Sequence, residues 1–297
     1  MDRIATEHFV FTFRRQAEPA ARRLAGDAES IRRRLCDDLE VSCFEGPVRV
    51  HIAASAEEFA LSQPGVRERV AEGGKREDYH IDWAAGIAYT RRNLILLRID
   101  HTALLSLEET FVHEVSHFAL RHGINHNFVP RWFLEGVAIL QAGEPILNRL
   151  RTASEASLTG SLIPIRDLTF SFPQHPARIR LAYAQSALFL RWLLRHEDDR
   201  AHVRVIGRVA AGERFNEAFP KVFGASPMAL WEDWRDDTRE AASWIPVLTS
   251  SALLWVLLTL IFLAAYARRR HASRARLRRW EEEEARSAVT NPLDTIH

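Results

Sequence analysis

Phe111-Val112-His113-Glu114-Val115-Ser116-His117-Phe118 is the stretch that decides the fold. Two histidines stand four apart, with a glutamate directly after the first. On a helix a four-residue step returns a side chain to nearly the same face, one turn further along. Both imidazoles can then grip one metal ion, with Glu114 close enough to reach a water beside it. The setting is helical: Phe111, Val112, Val115, Phe118, Ala119 and Leu120 supply apolar contacts, and no Gly or Pro interrupts Leu105 to Arg121. The pattern alone also fits an ordinary amphipathic helix carrying a satisfied histidine pair, so a second motif must separate the two.

A catalytic zinc site needs three protein ligands and an open position. Downstream stands Pro130-Arg131-Trp132-Phe133-Leu134-Glu135-Gly136-Val137-Ala138. Pro130 suits the first position of a new helix, where its missing N–H would be unpaired anyway. The polar turn His122 to Asn127 separates this helix from the first. Two helices joined so briefly lie side by side, and a carboxylate from the second can meet the imidazoles of the first. Gly136 removes a side chain where the second helix must approach closely.

The two motifs together resemble those of the gluzincin zinc peptidases, the group of thermolysin and the aminopeptidase N family. They are most similar to the small bacterial peptidase MA-like domains, where Pro-x-Trp-x-x-Glu-Gly-x-Ala follows the metal helix. The resemblance implies His113, His117 and Glu135 as ligands of one Zn²⁺ per chain and Glu114 as the catalytic carboxylate. It also implies a tyrosine or histidine from the later helical region over the cleft. Tyr183, in Arg180-Leu-Ala-Tyr-Ala-Gln-Ser, is the first candidate and His175 the second. A tyrosine packed into a helix interface is the ordinary alternative.

Departures from these relatives matter. Metzincin spacing is excluded, since Leu120 and Gly123 occupy its glycine and third-histidine positions; His122 and His126 read as turn or rim residues. Thermolysin-like enzymes carry an aspartate four residues beyond the glutamate ligand to orient a histidine, and Ile139 stands there. Another group must supply that support or the site is weak. The amine-binding Gly-x-Met-Glu-Asn of aminopeptidases is replaced by Gly86-Ile-Ala-Tyr-Thr, which has no glutamate. An endopeptidase is therefore expected. A zinc-loaded but inactive binding or sensing module is the rival.

The remainder predicts an α+β fold of thermolysin-like type: a small sheet, the metal helix and a helical C-terminal half, over residues 1–240. Glu7 to Phe13 reads as a first strand, Glu18 to Leu39 as a helix and Val48 to Ala53 as a half-buried strand. Gly86 to Tyr89 and Asn93 to Arg98 form a strand pair expected at the sheet edge above the cleft, where gluzincins pair with substrate backbone. Helices follow over Ile179 to Arg195, Ala201 to Ala211, Arg214 to Phe223 and Pro227 to Glu240, whereas Glu144 to Thr159 reads as pocket-lining loop. Cys36 and Cys43 could bridge or remain two buried thiols.

With 40 basic and 39 acidic side chains, nucleic acid is not an expected partner; a peptide or protein substrate is. Between Glu240 and Arg268 no charge occurs, which predicts a membrane-crossing helix over 241–267 bracketed by Trp244 and Tyr266. The arginine-rich stretch after Arg268, followed by the acidic run Glu281 to Glu284, then reads as a cytoplasmic tail (268–297), with the peptidase domain outside the cytoplasm. Such a domain needs an export signal, and Met1 to Arg15 has no apolar core of that kind. A signal sequence ahead of this start is expected, the alternative being tail-first insertion.

Overall fold

The computed structural model describes residues 1–71, 84–100, 106–243, 255–270 and 280. One compact unit covers Met1–Arg239 and a second Glu240–His297. The first unit opens with β1 (Asp2–Ala5), β2 (Phe9–Phe13), α1 (Glu18–Leu39), β3 (Val48–Ala53), α2 (Ala56–Ser62), α3 (Val66–Ala71), β4 (Gly86–Tyr89) and β5 (Leu94–Arg98). The metal helix α4 (Leu107–Gly123), α5 (Arg131–Ala142), α6 (Leu147–Leu158), α7 (Pro176–His196), α8 (Ala201–Ala210), α9 (Phe215–Phe223) and α10 (Pro227–Ser243) follow.

Period-two alternation builds the sheet. Phe9, Phe11 and Phe13 on β2, Val48, Val50 and Ile52 on β3, and Ile95 and Leu97 on β5 all point into the main core. There they meet the apolar faces of α1 and α4, with Phe111 5.7 Å from Phe9 and 5.8 Å from Phe11 between ring centroids. Strand order is β1-β2-β3-β5-β4. The three central strands run parallel, and β1 and β4 close the two edges in antiparallel pairing. β4 pairs Gly86 with Leu97 and Tyr89 with Leu94. It thus hangs on the side of the sheet from which α4 departs.

The start of α4 is set by a reciprocal cap. Ser106 Oγ accepts from the Glu109 N–H at 3.1 Å, and Glu109 Oε2 accepts from the Ser106 N–H at 2.6 Å. Pro130 precedes α5 by one residue, and α5 ends where Gly143 takes φ 68°. Trp132, fully buried, holds α5 to the helical half, with ring centroids 5.0 Å from Phe189 and 6.2 Å from Phe215. Gly136 is needed here. A Cβ on it would lie 2.8 Å from the Ser186 carbonyl oxygen and 3.1 Å from Leu190 Cβ, so α5 and α7 touch backbone to backbone.

The structure corrects the sequence at several points. Among the described residues no helix is long and apolar enough to cross a membrane, which corrects the expectation of a single membrane-crossing helix over 241–267. The described part of that stretch, 255–270, is helical and includes Arg268, Arg269 and Arg270. Residues 244–254, most of the arginine-rich tail and Glu281 to Glu284 lie outside the described residues. The expected loop Glu144 to Thr159 is mostly helix, α6, whose small side chains Ala153 and Ala156 face the core. β1 precedes the expected first strand. Cys36 and Cys43, open alternatives in the sequence, are joined as a disulfide with Cα atoms 5.5 Å apart.

Two outcomes are expected. Gly136→Ala lowers stability by about 1–3 kcal/mol through overpacking against α7, read by denaturant unfolding; an unchanged midpoint would contradict the close approach. Burial, with Arg200 adding to it, lowers the His202 pKa from 6.5 to about 4. The folded chain therefore refuses a proton that the unfolded chain accepts. The contribution is full above pH 6.5 and is lost as pH falls to 4, up to about 3 kcal/mol. His202→Gln should flatten that part of the stability–pH curve.

Candidate metal centre

Every residue that the two motifs nominated arrives at one place. His113 and His117 lie on one face of α4, their ring centroids 4.9 Å apart. Glu135 enters from α5, and its Oε2 lies 3.4 Å from Nε2 of His113 and 3.4 Å from Nε2 of His117. Ligand atoms about 2.0–2.1 Å from a tetrahedral zinc stand about 3.3–3.4 Å from one another. Both carboxylate-to-imidazole edges have that length. Moreover, Glu135 Oε2 is buried and accepts no hydrogen bond, a costly state for a carboxylate oxygen unless a cation faces it. These three residues could hold a metal ion, and the donor set of two imidazoles and one carboxylate fits zinc.

Electrostatics give the same answer. Burial works against a charge on His113, but the surrounding carboxylates of Glu135, Glu144 and Glu114 outweigh it and raise its pKa to about 10. Burial likewise opposes ionisation of Glu135, yet His117 and His113 hold its carboxyl well below the usual range. The pocket demands positive charge between the ligands, and a divalent ion would answer that demand.

The support missing at Ile139 comes from elsewhere. Glu144, buried just beyond the end of α5, places Oε1 2.7 Å from Nδ1 of His113. Its other oxygen is taken by Arg149 of α6. A carboxylate on Nδ1 fixes the tautomer and leaves Nε2 for the metal. No sequence spacing announces Glu144, because the left-handed Gly143 turns the chain back toward α4 before it. Arg131 was also missed, although its place four residues before Glu135 on the same helix was a legible pairing signal. Its Nε donates to Glu135 Oε1 at 3.2 Å.

Glu114 is buried beside the cluster, and burial pushes its carboxyl above the usual range against the pull of His113 and His117. Its neighbour is the edge strand. A Cβ on Gly86 would lie 3.0 Å from Glu114 Cγ and Oε1 and 2.7 Å from Thr110 Cγ2. Only glycine lets β4 lie this close to the glutamate. Tyr183 of α7 stands with its ring 6.5 Å from that of His113 and 5.2 Å from Phe172. Burial first, then the charge of Glu135, pushes its phenol well above the usual value, so it stays a neutral donor. His175 sits exposed ahead of α7, and the His122 and His126 rings face each other 5.5 Å apart at the end of α4. None of these three joins the cluster. A second acidic–histidine group, Glu7, His8 and Glu29, is closed on itself: Glu29 accepts from Thr6 Oγ1, from the His8 N–H and pairs with His8 Nδ1.

Residues 77–239, more than half of the chain, match the family model described as the Peptidase MA superfamily. No curated protein and no solved structure matches the chain.

If Glu144 orients His113, Glu144→Gln should weaken zinc binding by about 10- to 100-fold while leaving the fold intact. Competition with a chelating dye measures it; wild-type affinity in the variant would remove Glu144 from the site.

Proposed function

The chain belongs to the Peptidase MA superfamily, and on that premise we propose that it is a zinc-dependent endopeptidase acting on extended polypeptide. One observation carries the reading: a buried carboxylate oxygen without a hydrogen bond, 3.4 Å from two imidazole nitrogens, with Glu114 beside them. His113, His117 and Glu135 would hold the ion. Bound there, zinc would supply Lewis-acid polarisation of the scissile carbonyl and of the attacking water.

The remaining work falls to the chain's own groups. Glu114 takes the proton from the water and delivers it to the departing amine, a task suited to a carboxyl that burial holds above its usual range. Tyr183, neutral and close by, donates to the oxygen on which negative charge develops. β4 is a sheet edge, and among the described residues no strand pairs with its outer side. A substrate backbone adding there as a further strand would pass directly beside Glu114. No glutamate on β4 offers to bind a free amine, which favours internal cleavage. The rival reading, an inactive binding module, was motivated by Ile139, and Glu144 takes up that missing role. The Cys36–Cys43 bridge supports an oxidising compartment outside the cytoplasm as the working environment.

Glu114→Gln tests the assignment. It should retain one zinc per chain and lower turnover of an unfolded protein such as casein by about 10²- to 10⁴-fold. Wild-type cleavage by the variant would refute the role of Glu114, and a zinc-loaded wild type that cuts nothing would favour the binding module.

A further inference from the structure

A cavity of about 130 Å³ lies between α5 and α7. Helical spacing builds its walls. Gly136, Ile139 and Leu140 recur at steps of three and four on α5, and Ala187, Leu190 and Arg191 do so on α7. Gly136 offers no side chain to this space and Ala187 only a methyl group. None of His113, Glu114, His117, Glu135 and Tyr183 lines it. Glu144 does, and Glu144 is the group whose Oε1 lies 2.7 Å from His113 Nδ1. The cavity thus stands outside the metal cluster and meets it through one carboxylate. Voids larger than a water molecule are few in a packed domain.

The two charged residues of the lining differ in kind. Glu144 is buried, with one oxygen on His113 and the other taken by Arg149, so it asks nothing of a guest. Arg191 is exposed, and no described residue forms a hydrogen bond or ion pair with it. An apolar hollow beside an unpaired guanidinium suits a molecule with an apolar body and an anionic end, and the planar fork of arginine matches a carboxylate. Size limits the body, because an apolar cavity of about 150 Å³ holds a molecule no larger than benzene.

We propose that this pocket binds short, branched apolar carboxylates, and that Glu144 couples its occupancy to the metal centre. A guest excludes water from the wall that holds Glu144 on His113, and their attraction strengthens as the local dielectric falls. Two sources share this chemistry: a free acid, and the new C-terminus of a peptide cleaved after leucine. Only the second rests on the peptidase reading above.

The test titrates 4-methylpentanoate into the full chain, with and without zinc, by ligand-observed NMR. Saturable binding with a Kd of about 1 mM is expected for eight heavy atoms. The matching amide, which keeps the shape and lacks the charge, should bind about 10-fold more weakly, and Arg191→Gln should weaken the acid by about the same factor. Ala187→Leu, which fills the pocket, should abolish binding; should that variant fail to fold, Arg191→Gln decides alone. Zinc should tighten the acid by about 5-fold or more, and the acid should tighten zinc by the same factor. A tripeptide of two alanines and a C-terminal leucine separates the sources: tighter binding than the free acid assigns the pocket to cleaved peptide, and weaker binding to the acid. No saturable binding of either overturns the proposal, as does a wild-type Kd in Arg191→Gln. A Kd unchanged by zinc overturns the coupling. So does a zinc-dependent gain that persists in Arg191→Gln, since the acid would then be bound to the metal itself.

Discussion

The site depends on one constraint: a carboxylate from α5 must lie against two imidazoles of α4 in a largely buried space. Charges of this kind are costly to bury singly, and the chain buries them as a set. His113, His117, Glu135 and Glu144 each face another member of the set, and the one atom of theirs left without a hydrogen bond, Glu135 Oε2, points between the imidazoles. The rest of the helical half serves that meeting. Trp132 roots α5 among Phe189, Phe215 and Phe219, and Gly136 lets the helix settle onto α7 at backbone distance. A helix standing further off would withdraw Glu135 from the imidazoles.

Around this meeting two basic residues do parallel work from opposite ends of α5. Arg149, beyond its C-terminus, occupies one oxygen of Glu144 and leaves the other for His113. Arg131, at its N-terminus, occupies one oxygen of Glu135 and leaves the other for the space between the imidazoles. Each carboxylate is thereby reduced to a single free atom with a defined direction, which is what a site of fixed coordination geometry requires. On the opposite wall Gly86 gives β4 the closeness to Glu114 that any side chain would prevent. The sheet thus contributes an edge rather than a residue to the chemistry.

Much of this was legible beforehand. The four-residue step between His113 and His117 is a helical period, and Trp132-x-x-Glu135-Gly136 announces a second helix of close approach, so ligands and partner helix followed from local pattern. The strand pair Gly86–Tyr89 and Leu94–Arg98 and the long helices α1 and α7 were also readable, because period and apolar face agree in them. α6 was not. Its buried residues are mostly alanines, which signal a helix face weakly. The apolar run after Glu240 misled in the other direction. Hydropathy reports composition over a window, whereas among the described residues no helix is long and apolar enough to cross a membrane, and the one at 255–270 includes three arginines.

The sequence by itself determined which side chains share a helix face, because that depends only on the 3.6-residue period. His113 beside His117, and Arg131 beside Glu135, are facts of this kind. The tertiary structure alone decided what comes to those faces from distant positions: Glu144 onto His113 after the left-handed turn at Gly143, Tyr183 from α7 beside Arg131, and β4 against Glu114. These contacts have no period and no fixed spacing. They arise from how the chain turns and packs between elements, and a one-dimensional pattern does not carry that information.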